Sequence, residues 1–138
     1  MKTLVNFGTD KSLEDHLGPL PRAEDESRLS ETARSIYQKP LKEFSIEDLR
    51  FLISQELGLE VLVPIAADLL QENLLLEGDY YPGDLLSVVM QVPSSFWKEH
   101  QELYWRVSEI VAGLPSAMHQ LEGVIAKFEQ LAGDNQPQ

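Results

Sequence analysis

The segment EGDYYPGDLL, residues 77–86, sets three carboxylates, two tyrosines and a Pro-Gly pair between two apolar stretches. Carboxylates at such spacing can ligate a divalent cation, work as a general acid and base, or display negative charge to a partner. A calcium loop needs oxygen ligands at alternate positions and a bidentate glutamate at the twelfth. Counted from Glu77, the acids fall at positions 1, 3 and 8, and position 12 is Val88, so no metal is expected. Asp79 and Asp84 could form an acid–base pair, but that role needs a cleft, a perturbed pKa and a group that positions substrate. None of these is visible in the sequence. His16 falls in an irregular stretch, while His100 and His119 fall within helical patterns, where a histidine is ordinarily a packed or surface residue. No nucleophile elbow, P-loop, H-E-x-x-H or G-x-G-x-x-G motif occurs. The chain has no cysteine, which removes disulfides, thiol catalysis and zinc–cysteine sites. Neither a catalytic residue nor a cofactor is expected.

A purely structural role accounts for every residue of the segment. Pro82 suits the first position of a helix, and Asp84 then lies in the first turn, where the helix dipole stabilises a carboxylate by about 0.3–1 kcal/mol. Asp79 can accept backbone amides of the loop. Tyr80 and Tyr81 can bury their rings and keep their hydroxyls wet.

Around this loop the apolar residues recur at steps of three and four, the helical period. Residues 30–38 form a short helix stopped by Pro40. Ser45-Ile46-Glu47-Asp48 reads as a capping box that opens a helix carrying Ile46, Leu49, Ile53 and Leu57, closed by a left-handed Gly58. Pro64 falls in the first turn of the next helix. Residues 85–92 make a buried helix before Pro93. Ser94 or Ser95 caps a long helix to Leu114, Pro115 restarts the chain, and Met118, Leu121, Ile125 and Phe128 mark a last helix ending at Gly133. The one stretch with strand character is residues 3–7. The expectation is an all-α fold: a compact bundle of about five helices with short loops and an irregular N-terminal arm. Residues 1–25 form that arm, 26–133 a single helical domain and 134–138 a disordered tail.

Net charge is −12, from 23 acids and 11 bases over 138 residues. Residues 51–97 hold no Lys, Arg or His and seven acids. Such an imbalance argues against nucleic acid and for a basic partner, although acidity also keeps a small domain soluble. The N-terminus lacks the apolar core of a secretory signal, and no run approaches the roughly 18 apolar residues of a membrane span. A soluble, cytoplasmic protein with no membrane association is expected.

The stretch KPLKEFSIEDLRFLISQELGLEVLVPIAADLL, residues 39–70, followed by EGDYYPGDLL and Phe96-Trp97, resembles a family of bacterial contact-dependent growth inhibition (CDI) immunity proteins. The resemblance runs from about residue 30 to 105. Its most specific parts are Lys39-Pro40-Leu41, the run from Phe44 to Arg50, Gln55, Gly58-Leu59, Leu62-Val63-Pro64, Glu77-Gly78-Asp79 and the run from Tyr81 to Leu86. It implies a protein that binds the C-terminal toxin domain of one delivered effector, a basic domain of nuclease type, and covers its active or nucleic-acid-binding face. On that reading Glu60, Asp68, Glu72, Glu77, Asp79 and Asp84 supply acidic contacts, and Tyr104 and Trp105 supply apolar anchors, with Trp97 in the core. Contacts that tell one toxin from another should not all fall on residues a family shares, so EGDYYPGDLL is expected to be scaffold first and binding rim second. Two other readings stay open: an acidic adaptor or regulator with a different basic partner, and a small hydrolase using Asp79 and Asp84.

Overall fold

Ser45 and Asp48 show how this chain starts a helix. The Ser45 hydroxyl accepts from the Asp48 N–H at 3.0 Å, and the Asp48 carboxylate accepts from the Ser45 N–H at 3.0 Å. Two amides that a helix start leaves without partners are thereby satisfied. Lys39 adds an ion pair to Asp48 at 2.7 Å. The same box recurs at Ser12 and Asp15, where it opens a five-residue helix inside the stretch expected to be irregular.

A computed structural model describes residues 10–20 and 28–134. The strand expected at residues 3–7 lies outside them, as does the expected tail 134–138 apart from Asp134, which ends the last helix. Among the described residues the fold is all-α, with no strand and seven α-helices: α1 (Leu13–Leu17), α2 (Arg28–Tyr37), α3 (Ile46–Ser54), α4 (Leu59–Glu72), α5 (Asp84–Met90), α6 (Ser94–Glu99) and α7 (Gln101–Asp134). A 3₁₀ turn, Leu41–Glu43, leads into α3. No described helix is long and apolar enough to cross a membrane.

Four boundaries differ from the sequence expectation, each for a local reason. Gly58 does not close α3. The Leu57 N–H reaches back to the Leu52 carbonyl at 3.0 Å and the Glu56 N–H to the Ile53 carbonyl at 2.9 Å. This is a Schellman cap whose left-handed residue is Glu56, at φ 59°. Gly58, also left-handed, instead starts α4, where a Cβ would lie 2.9 Å from Leu13 Cδ1. Pro64 consequently sits inside α4 and removes one N–H bond from its interior. The long helix expected from Ser94 is two helices. His100 stacks on Phe96 with ring centroids 4.1 Å apart and donates its N–H to the Trp97 carbonyl, tying off α6. Its own carbonyl accepts the Tyr104 N–H at 3.0 Å and opens α7. Finally, α7 runs through Pro115 instead of restarting there.

The core is centred on α4, which packs against α3, α5 and the first half of α7. Phe44, Leu49, Leu52, Leu62, Leu70, Leu85 and Val89 are buried there, and α1 adds Leu13 from the N-terminal side. On α7, Leu103, Val107, Ile110, Val111 and Leu114 close the core. Over residues 115–131 every described side chain is exposed.

Candidate functional site

The loop between α4 and α5 is organised by one buried carboxylate. Asp84 is 2 % exposed at the first position of α5. Its Oδ1 accepts the Gly78 N–H at 2.7 Å, and its Oδ2 accepts the N–H groups of Tyr80 at 3.1 Å and Tyr81 at 3.4 Å. A second carboxylate arrives from α3. Glu47 Oε1 accepts the Asp79 N–H at 3.1 Å, and Glu47 is itself gripped by Arg50, whose Nη2 donates to Oε2 at 2.8 Å. Donating to Glu47 raises the Arg50 pKa above its ordinary value. The Arg50 guanidinium also lies 4.5 Å from the centroid of the Tyr80 ring, in cation–π range. Gly78 threads between the two carboxylates: a Cβ there would sit 2.8 Å from Glu47 Oε1 and 3.2 Å from Asp84 Oδ2.

This geometry revises several sequence assignments. The amide acceptors of the loop are Asp84 and Glu47, with Asp79 supplying an N–H instead of a carboxylate. Pro82 precedes the helix, and the left-handed Gly83, at φ 91°, is the cap residue. Asp84, expected as a contact for a partner, is sealed beneath the loop and cannot reach one. Asp79 and Asp84 do not form an acid–base pair open to substrate, because both Asp84 oxygens are taken up by backbone N–H groups. Tyr80 and Tyr81 are not buried: their side chains point outward, 69 % and 51 % exposed.

The remaining predicted contacts are exposed but do not form one cluster. Glu60 is in the first turn of α4 and Glu72 at its end, about 18 Å apart along the helix. Asp68 pairs with Arg106 of α7, which also donates to Gln71 at 3.0 Å, so this charge is answered within the fold. Glu72, Glu77 and Asp79 remain at one end of α4 and on the loop that follows. The loop's Glu77 and Asp79 border a groove with Ser45, Glu47, Asn73 and Leu75. Beside α6 a run of edge-to-face rings links Phe96, Trp97, Tyr104 and Trp105 at centroid spacings of 5.3, 5.8 and 5.4 Å. Trp97 is half-buried and its Nε1 donates to the Val92 carbonyl at 3.1 Å, while Trp105 is 65 % exposed. Among the described residues no group of three or more His, Asp or Glu side chains is placed to hold a metal ion.

Glu47 and Arg50 are the site residues that sequence reasoning missed. Their signal was an acid and a base three apart on a helix, which reads as an ordinary surface pair. Nothing local says that a loop 32 residues later needs that carboxylate.

Compared with known families, residues 17–107 match the family model described as CDI immunity proteins, well over half of the chain. No curated protein and no solved structure matches it.

Proposed function

The chain belongs to the CDI immunity proteins, and we propose that it binds the cognate toxin domain of a CDI effector in the cytoplasm and neutralises it by covering a functional face. The match over residues 17–107 carries this reading. The toxin that fits is basic, in keeping with a nuclease that holds phosphates. Glu72, Glu77 and Asp79 offer carboxylates to its lysines and arginines, and Trp105 and Tyr104 offer exposed aromatic surface of the kind that anchors interfaces. Neutralisation proceeds by occlusion, with no chemistry of the chain's own. An acidic adaptor with another basic partner would share the charge but not the family.

The test is co-purification with the toxin domain encoded beside it, followed by protection of cells that express the toxin. Asp68 is a poor probe, since changing it also breaks the pair with Arg106. Glu72→Lys with Asp79→Lys should leave the fold intact and reduce protection, and Trp105→Ala should weaken the complex. Full protection by the double lysine variant removes the acidic face from the mechanism. A toxin that stays bound yet active removes occlusion.

A further inference from the structure

α7 carries one apolar stripe along its whole length, and only the first half is covered. With Val107 and Leu114 at heptad position d, Met118 and Ile125 fall at a, Leu121 and Phe128 at d, and Val124 at g. The first half of this stripe packs on the core through Val107, Ile110, Val111 and Leu114. The second half is exposed, with Phe128 at 72 %. Five large apolar side chains on three turns are a contiguous patch, not the scattered single residues of an ordinary surface. Most helical stability in proteins comes from packing an amphipathic face, so a partner on this one would also stabilise the helix.

Three observations say what covers the patch. The stripe continues the seam that α7 already uses against α4, so its period and register suit another helix. The family match ends at Val107, before the stripe leaves the body past Leu114, so the distal half is no part of the shared scaffold. Its polar border on one side is acidic, with Glu122 and Glu129 at position e. A second copy of the chain answers this border badly. Antiparallel pairing sets these glutamates against each other, parallel pairing sets Glu129 beside Val124, and each copy brings a net charge of −12.

We propose that the distal stripe of α7 is the face that selects the cognate toxin, docking an amphipathic helix of the toxin domain whose lysines or arginines lie beside Glu122 and Glu129. This rests on the reading of the chain as a toxin-binding protein. The helix seats its apolar side on Met118, Leu121, Ile125 and Phe128 and its basic side on the two glutamates. The acidic loop and Trp105 then serve as a second contact region on the body.

Titration calorimetry against the catalytically inactivated toxin domain encoded beside it, with sedimentation of the chain alone, tests this. Ile125→Asp with Phe128→Asp changes only exposed positions, and circular dichroism confirms that the variant is folded. The expected result is a monomeric chain, binding weakened about a hundredfold or more by the aspartates, and about tenfold by Glu122→Lys with Glu129→Lys. Unchanged affinity in the aspartate variant overturns the docking face while leaving the toxin-binding function standing. A dimer of the chain alone that the aspartates dissolve, with toxin affinity retained, assigns the stripe to self-association and overturns it too. If the unsubstituted chain does not bind the toxin domain at all, the underlying function falls with it.

Discussion

Asp84 shows how much one carboxylate can organise. A charge in the first turn of a helix is worth about 0.3–1 kcal/mol through the dipole alone. Here the same carboxylate, buried, also accepts three loop amides, and hydrogen bonds to a charged group contribute about 1.5–3 kcal/mol each at the upper end of the range. Asp84→Asn keeps the volume but turns one acceptor into a donor facing an N–H. It should cost about 2–3 kcal/mol in urea unfolding at unchanged m-value, and added calcium or magnesium should not shift the melting temperature of either protein. A loss under about 0.5 kcal/mol would mean that the loop is not held by this residue. Gly78 gives a second, coupled case. Gly78→Ala pushes on the Glu47 carboxylate that Arg50 holds in place, and should cost about 1–2 kcal/mol. Because the closest approach, 2.8 Å, is to that side chain, Glu47→Ala should relieve most of the clash, so the double variant should lose less than the sum of the two. Strict additivity would place the obstruction elsewhere.

At the scale of elements, the Schellman cap at the end of α3 places Glu56 where glycine is ordinarily found. An L side chain in the left-handed region costs about 1–2 kcal/mol, part of which glycine returns through its freer unfolded chain. Glu56→Gly should therefore stabilise the protein by about 0.5–1 kcal/mol, and a destabilised variant would show that the Glu56 side chain has a role beyond the turn. The cap of α1 makes a pH prediction. The N–H and hydroxyl of Ser12 hold the Asp15 carboxyl below its ordinary pKa. Its contribution is present above the unfolded value, about 3.9, and lost as pH falls through the lower folded value. Thermal melts of the protein and of Asp15→Asn should differ at neutral pH and converge in acid; a constant gap would remove Asp15 from the linkage. These two elements also mark what the sequence made legible. The Ser45 box could be read because its partners are three residues apart, and the apolar period placed the packing faces of α3, α4 and α7. The identical box at Ser12 passed unread because five residues are too few to show a period. The split at His100 depends on a ring stacking on its own helix, and Glu47's grip on the loop spans 32 residues. No window of local sequence contains that second contact. Residues 118–128 were legible as a helical stripe but not as an exposed one, because periodicity says that a face exists and not what covers it.

For the molecule as a whole, charge and apolar surface divide the work of association between speed and persistence. Several acids are answered inside the fold: Asp48 by Lys39, Glu47 by Arg50 and Asp68 by Arg106. Glu72, Glu77 and Asp79 are exposed in a stretch of 47 residues with no cation of its own, on a chain of net charge −12. Their field reaches about 30 Å at 0.01 M salt and about 8 Å at 0.15 M. A basic toxin should therefore be drawn in fast at low salt, and stopped-flow mixing should find the association rate falling by about tenfold or more between 0.01 and 0.5 M salt. Dissociation happens at contact distance, where screening matters less, and should change little. The two sets of variants separate the terms further. Glu72→Lys with Asp79→Lys should lower the low-salt association rate and flatten its dependence on salt. Ile125→Asp with Phe128→Asp adds negative charge while removing apolar contact, so it should speed dissociation sharply and leave the salt slope intact or slightly steeper. An association rate that does not respond to salt would end the steering argument. If the lysine variant instead altered only dissociation, the acidic loop would be a contact of the finished complex and not the guide to it.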